Sequence, residues 1–175
     1  MSFVERTTAP STSDPHYTTN NPYYTAGYGM PNCTCYAWGR WYEMIGSKPN
    51  LSLGNANDWY TYADEYKRSQ LPTLGAVLCL YGGIYSGLGH VAVVEELHSN
   101  GDITVSESAY NGYYWQREKI TKANGYKPTY GGYTFQGFII PDGYSPEPTP
   151  TPSPSVGVTR ERKRKSMSLA FWLRQ

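Results

Sequence analysis

Apolar side chains recur at helical spacing in the segment 33–45, where Trp41 follows Ala37 by four positions. Asn32 stands before the first apolar position and can cap a helix, because its short side chain can accept backbone N–H groups of the first turn. Gly46 stands after the last one, where a helix commonly ends in a left-handed residue. The pattern therefore predicts a helix over 33–45.

A second periodic segment, 52–69, has aromatic and small residues that would share one helical face. Asn55 or Asn57 could cap this helix, and Pro72 marks a place where helices tend to stop. The residues expected on its buried face are Trp59, Tyr62, Ala63 and Tyr66.

After Pro72 the period changes to short β-branched or aromatic runs separated by Gly, Asn-Gly and Pro. The turn His98–Asp102, with the sequence HSNGD, is typical of a hairpin. Two helices followed by antiparallel strands predict an α+β fold in layers. The predicted strands lie in the runs 75–83, 89–98, 102–110 and 133–141.

The chain length of 175 residues suits one folded domain. The first residues are rich in Thr, Ser and Pro, and the run SPEPTPTPSPS is typical of a semi-rigid linker. We therefore divide the chain into an extended N-terminal arm (1–20), a folded domain (21–142), a Pro-rich linker (143–159) and a basic and aromatic tail (160–175).

The net charge of +1 hides an asymmetry, because the tail 160–175 has six Arg or Lys and one Glu and so carries +5. The remaining residues then sum to −4, which excludes nucleic-acid binding by the folded domain on charge grounds. Basic residues followed by Leu, Phe and Trp could contact an anionic cell surface. The alternative is a disordered tail with an apolar end.

The N-terminal sequence MSFVERTTAPSTSDPHYTT has neither a basic start nor an apolar run, so we expect no secretory signal peptide. No stretch is apolar over the length that a membrane span needs. We therefore expect synthesis in a host cytoplasm, with release by lysis, through a holin-type pore or inside a virion. Three cysteines do not describe a disulfide-stapled scaffold.

Cys33 opens the predicted helix 33–45, directly after a loop rich in Gly and Tyr. The positive end of a helix dipole favours the thiolate, which is the nucleophilic form of cysteine. Placement at a first turn therefore suits a catalytic nucleophile. The alternative is a small apolar residue in the core, and the local sequence leaves both interpretations open.

The other two cysteines, Cys35 and Cys79, are predicted to pack in the core. Cys35 lies about 200° around the helix from Cys33, and Cys79 belongs to the apolar run AVLCLY. A zinc site would need a second pair of Cys or His at clip spacing, which the sequence lacks.

A thiolate hydrolase also needs a base, and the chain has three histidines. His16 lies in the polar arm and His98 precedes the Asn-Gly turn, whereas His90 begins an apolar strand after a Gly-rich loop. Glu107 lies on the next predicted strand and could orient His90 across the hairpin. A structural histidine and an exposed carboxylate are the alternatives.

Four motifs in order, NCTCYAWGR, GNANDW, GHVAVVE and VSESAYNG, resemble the CHAP family of cysteine, histidine-dependent amidohydrolases and peptidases. The resemblance spans about residues 24–140. It implies a papain-like CHAP fold, with N-terminal helices packed on an antiparallel β-sheet. It also implies cleavage of bacterial peptidoglycan, either at the N-acetylmuramoyl–L-alanine amide or within the stem peptide or cross-bridge.

The resemblance implies a role for each matching residue. Cys33 would be the nucleophile, His90 the general base and Glu107 the residue that orients His90. The backbone N–H of Cys33 would stabilise the oxyanion, with Asn32 as a second substrate or oxyanion residue. The family often has Asn two residues after the Glu, where this chain has Ala109; we expect Asn111 on the same strand face instead.

Some relatives have calcium ligands just before the cysteine, but YYTAGYGMPN has no acidic residue, so we expect no metal and no cofactor. The sequence thus predicts a peptidoglycan amidase or endopeptidase, of the kind used as a phage endolysin or virion-associated lysin. Its expected partners are peptidoglycan and, through the tail, virion proteins or an anionic surface. The alternative is a wall-binding module without catalytic activity.

Overall fold

A computed structural model describes residues 3–84 and 87–143; the predicted linker beyond residue 143 and the predicted tail 160–175 lie outside this range. The helices are α1 (Pro22–Thr25), α2 (Cys33–Ile45) and α3 (Ala56–Trp59), with a 3-10 turn at Lys122–Asn124. The strands are β1 (Lys67–Ser69), β2 (Val77–Gly82), β3 (His90–Leu97), β4 (Ile103–Glu107), β5 (Gln116–Ile120) and β6 (Tyr133–Ile140).

The six strands of the described residues form one antiparallel sheet in the order β1-β6-β2-β3-β4-β5. The predicted hairpin between β3 and β4 is confirmed, because the His98 N–H donates to the Asp102 carbonyl at 2.9 Å. β1 and β5, the two edge strands, were not predicted. Both are short and polar, so they lack the apolar alternation that reveals a strand.

Both faces of the sheet are buried, which explains the nearly continuous apolar runs of β2 and β3. Val91 and Val93 pack in the cluster that contains the aromatic side chains of α2. Ala92 and Val94 point the other way, into a second cluster that Tyr126 helps to cover. The predicted α+β class, with N-terminal helices packed on an antiparallel sheet, is confirmed.

The predicted bounds of α2 are confirmed at both ends. The Asn32 side chain accepts from the Thr34 N–H at 2.9 Å and from the Cys35 N–H at 3.3 Å, so it caps the first turn. Gly46 ends the helix with φ of 72°, in the left-handed region. Local capping groups therefore set both ends of α2.

The predicted second helix over 52–69 is wrong, because only α3 forms there and Tyr62 and Ala63 are exposed. Asp64 accepts from the Tyr66 N–H at 3.0 Å and pairs with the Arg68 guanidinium. Arg68 also donates to backbone carbonyls that a continuous helix would have used internally. These carbonyls belong to Trp59, Tyr60, Tyr62 and Tyr66.

The N-terminal segment differs from the predicted extended arm, since residues 12–20 form turns against α2 and Tyr17 is fully buried. A Cβ at Gly39 would lie 2.7 Å from the His16 carbonyl oxygen and 2.7 Å from the Tyr17 ring. The absence of a side chain at Gly39 therefore lets this segment approach the helix. The polar composition of the N-terminal segment gave no indication of this contact.

A buried ion pair ties α2 to the sheet behind the cleft. Arg40 donates to both carboxylate oxygens of Glu95, each at 2.9 Å. The same carboxylate accepts from the Arg6 N–H at 2.8 Å and from the Ser106 hydroxyl at 2.6 Å.

Within residues 3–84 and 87–143, no helix has the length and apolar character needed to cross a bilayer.

Candidate active site

Cys33 is the first residue of α2 and lies partly exposed in a cleft between the helix start and the sheet. The Asn32 oxygen is occupied by the helix cap, and the Asn32 N–H donates to the Ser108 hydroxyl at 2.9 Å. Among the described residues, neither the Asn32 amide nitrogen nor the Cys33 N–H has a hydrogen-bond acceptor. Both donors are therefore available to a group that enters the cleft.

His90 begins β3 and is the histidine that the fold brings to Cys33. Its Nε2 lies 2.6 Å from the Glu107 carboxylate, and the ring lines the same cleft as Cys33. Since Glu107 occupies Nε2, Nδ1 is the ring nitrogen left for the sulfur. Thiol, imidazole and carboxylate thus lie in this order at the cleft, and we call these three side chains the relay.

Glu107 is 1% exposed, and several donors stabilise its charge. One carboxylate oxygen faces His90, and the other accepts from the Tyr113 hydroxyl and the Gln116 amide, each at 2.6 Å. Gln116 lies directly opposite Glu107 in the β4–β5 register. The Tyr130 hydroxyl is a further donor, at 3.3 Å.

The relay is charged across neutral pH. Burial by itself lowers the pKa of His90, but the negative charge of Glu107 and the hydrogen bond with Cys33 outweigh it and raise this pKa to about 10. Burial would raise the pKa of Glu107, whereas the His90 charge and the donated hydrogen bonds lower it to about 2.

These shifts also set the pH range in which the pair stabilises the fold. The Glu107 contribution is complete above its ordinary pKa of 4.5 and is lost as the pH falls towards 2. The His90 contribution is complete below its ordinary pKa of 6.5 and is lost as the pH rises through about 10. Both contributions are therefore complete between these two ordinary values.

The remaining candidate residues are not part of the relay. Cys35 and Cys79 are fully buried, as predicted for packing residues. His98 bonds the Thr104 hydroxyl at 2.8 Å in the hairpin. The prediction for Asn111 is wrong: β4 ends at Glu107, and Asn111 is exposed in a turn with φ of 55°.

His16 is part of a group that could hold a metal ion by distance alone, together with Asp14 and Glu43. Glu43, however, accepts hydrogen bonds from Arg6 and from the Tyr17 hydroxyl, and it pairs with Arg40. Two guanidinium groups beside this carboxylate oppose a further cation there, so these residues do not fit a metal site.

Sequence reasoning missed the residues that hold Glu107 and the start of α2. Tyr113 lies beyond a turn, and Gln116 lies on the unpredicted strand β5. The Ser108 hydroxyl accepts from the Asn32 N–H and so joins the start of α2 to the end of β4. Only the pairing of β4 with β5 could have indicated Gln116, which stands opposite the predicted carboxylate.

We expect iodoacetamide to modify Cys33 at least about a hundredfold faster than the other two cysteines, since only Cys33 is partly exposed beside an imidazolium. Burial raises the pKa of Cys35 to about 12 and raises that of Cys79 as well, which keeps both in the thiol form. Fragment-ion mass spectrometry of digested, partly labelled protein measures the order. First labelling of Cys35 would contradict the assignment.

The cleft around Cys33 has a volume of about 410 Å³, and Asn32 and His90 are among its lining residues. A neighbouring cavity of about 350 Å³ shares four of its lining residues, so the two form one groove. Those shared residues are Tyr28, Asn32, Thr34 and Asn55. Cys33 lines only the first of the two cavities, so the groove continues from the sulfur into the second cavity.

Comparison with known proteins finds similar proteins in Staphylococcus aureus. A probable autolysin (LDP) of Staphylococcus aureus is 42% identical over 49% of this chain and 30% of its own length. Staphylococcal secretory antigen ssaA2 of Staphylococcus aureus is 36% identical over 61% of this chain and 38% of its own length. The matched part of the chain spans about a third of the length of these relatives.

Among solved structures, an N-acetylmuramoyl-L-alanine amidase from Staphylococcus aureus is similar, with 27% identity and a TM-score of 0.47. The match covers 63% of this chain and 32% of that chain. The family model described as CHAP domain matches residues 23–111, slightly more than half of the chain. These residues include Cys33, His90 and Glu107, and the chain belongs to the CHAP domain family.

Proposed function

We propose that this chain is a cysteine-dependent hydrolase that cleaves an amide bond of bacterial peptidoglycan. The observation that carries the proposal is the relay of Cys33, His90 and Glu107 at one end of an open groove. Membership of the CHAP domain family and the relative named as an autolysin support the substrate.

The charge state of the relay suggests how the reaction proceeds. The Cys33 thiolate attacks the amide carbonyl and forms a C–S bond, while His90 already holds the proton. The Cys33 N–H and the Asn32 amide stabilise the oxyanion. His90 then donates its Nδ1 proton to the leaving amine, and the C–N bond breaks to give a thioester.

Neutral His90 can next accept a proton from water, which attacks the thioester and releases the acid and the thiolate. Glu107 bonds Nε2 throughout, so it keeps Nδ1 directed at the sulfur and stabilises the imidazolium. Each group thus keeps one position through both half-reactions, while His90 acts first as an acid and then as a base.

Purified peptidoglycan, incubated with the full chain and analysed by mass spectrometry, tests the proposal. We expect new free amino and carboxyl termini that are absent after incubation with Cys33→Ser. The termini report whether the enzyme acts as an amidase or as an endopeptidase. Tight binding to the wall without new termini would instead support the wall-binding module.

The phage origin stays a prediction, since the relatives named above are proteins of Staphylococcus aureus. The same holds for action after holin release or from a virion, and for partners of the tail 160–175, which lies outside the described residues. The domain boundaries stay predictions as well.

A further inference from the structure

The second cavity of the groove shares a wall with the active-site cleft. It presents a charged side chain that the hydrolytic mechanism does not use. It contains one carboxylate, Asp58, and no basic side chain among its described lining residues. Asp58 is exposed, and its carboxylate accepts no hydrogen bond and forms no ion pair with any described residue. An unpaired anion therefore faces the path of a bound peptide.

The surroundings of Asp58 are fixed by buried contacts. The Tyr23 hydroxyl lies 2.8 Å from the Ser52 carbonyl oxygen and 2.9 Å from that of Gly54, and it accepts from Trp59 Nε1 at 3.1 Å. A Cβ at Gly54 would lie 2.8 Å from the Asp58 carboxylate, so glycine leaves room for it. The loop is thus rigid enough to present this oxygen in one place.

One wall of the cavity is apolar. Leu53 and Tyr28 are 62% and 57% exposed, although both are large apolar or aromatic residues, and Pro22 and Ala26 complete this wall. Exposed apolar side chains that gather at a groove mark a binding surface more often than a random patch. Of these residues, Tyr28 also lines the cleft that contains Cys33.

A carboxylate at the first turn of α3 could by itself serve the helix dipole. α3 has only four residues, however, and the Asp58 carboxylate caps none of its N–H groups. The dipole of a single turn is small, which leaves the groove as the better explanation of this side chain.

We infer that the second cavity is a subsite for a peptide residue with an aliphatic stem and a terminal primary ammonium group, a lysine-like diamino acid. The stem contacts Leu53 and Tyr28, and the ammonium pairs with Asp58. The inference rests on the proposed function, because it places this residue beside the scissile amide. The second cavity has no basic side chain among its described lining residues to match a peptide carboxylate.

Three synthetic peptides test the subsite. The first is a muramoyl stem peptide with lysine as its third residue, and the second has norleucine there, which keeps the stem and removes the ammonium. The third is the norleucine peptide without the muramoyl group, so that only its α-amine is free. Calorimetry with the Cys33→Ser protein gives each Kd without turnover.

We expect the lysine peptide to bind about tenfold more tightly than either norleucine peptide. One charge-assisted hydrogen bond contributes a binding free energy of this size. Asp58→Asn, made in the Cys33→Ser protein, should erase this gain. Asp142→Asn removes the same charge from an exposed position that lines neither cavity, and should retain it. Melting temperatures confirm that both variants are folded.

Equal Kd values for the three peptides, or a gain that survives Asp58→Asn, would overturn the inference. Tighter binding of the norleucine peptide that has a free α-amine would show that an α-amine, and not the side-chain ammonium, occupies the subsite. Cleavage of the lysine and norleucine peptides at equal rates by the active chain leaves the hydrolase proposal standing and removes the subsite. Selective binding of the lysine peptide without any cleavage supports the subsite and contradicts the hydrolase proposal.

Discussion

Cys33→Ser is expected to lower the rate of peptidoglycan cleavage at least about a thousandfold, because the hydroxyl that replaces the thiol is hardly ionised beside the imidazolium. The oxyanion donors and the groove stay in place, so binding persists while bond cleavage stops. The fold should be retained, since Cys33 is partly exposed and its neighbour Asn32 still caps the helix. Dye release from labelled cell walls measures the rate.

Cys35→Ala is the matched control for this experiment. Cys35 is fully buried two positions away, so its truncation should lower the free energy of unfolding by about 1–2 kcal/mol and leave cleavage nearly unchanged. Near-wild-type lysis by Cys33→Ser would show that another group is the nucleophile.

Glu107→Gln is expected to lower kcat/KM by roughly a hundredfold to ten-thousandfold. Glutamine keeps the shape of the side chain but removes the negative charge that raises the pKa of His90. Without that charge, burial lowers the pKa of His90, and the imidazolium needed for the ion pair is lost at a lower pH. The alkaline limb of the pH–kcat/KM profile should therefore move to lower pH.

The pH profile separates this role from a merely structural one. Glu96→Gln serves as control, because Glu96 is a partly exposed carboxylate on β3 that bonds Thr104 and lies outside the cleft. We expect its pH profile to match that of the wild type. An active Glu107→Gln enzyme with an unmoved alkaline limb would mean that a different group orients His90.

The parts of this fold that were predictable are those with local causes. The cap at Asn32, the stop at Gly46 and the apolar residues between them determine α2 within one stretch of sequence. The HSNGD turn determines the β3–β4 hairpin in the same way. Cys33 begins this helix and His90 begins a strand, so the places of both residues in the fold follow from the same local patterns.

The unpredicted parts depend on contacts between distant residues. Arg68 donates hydrogen bonds to four backbone carbonyls that a helix over 52–69 would have used, and no local sequence pattern indicates these bonds. The donors to Glu107 come from across the β4–β5 turn, where Gln116 meets Glu107 only once the strands pair. Tyr17 is hidden in a polar segment whose composition suggests solvent exposure.

The N-terminal segment has a practical consequence for isolating the catalytic unit. The family match begins at residue 23, but Glu95 receives one of its donors from the Arg6 backbone, and Arg40 bonds the Val4 carbonyl at 2.5 Å. An excised domain that starts at residue 23 would leave this buried guanidinium–carboxylate pair short of partners and open the surface beside Gly39 to water. Chimeric enzymes built from this chain should take their upstream junction ahead of Phe3.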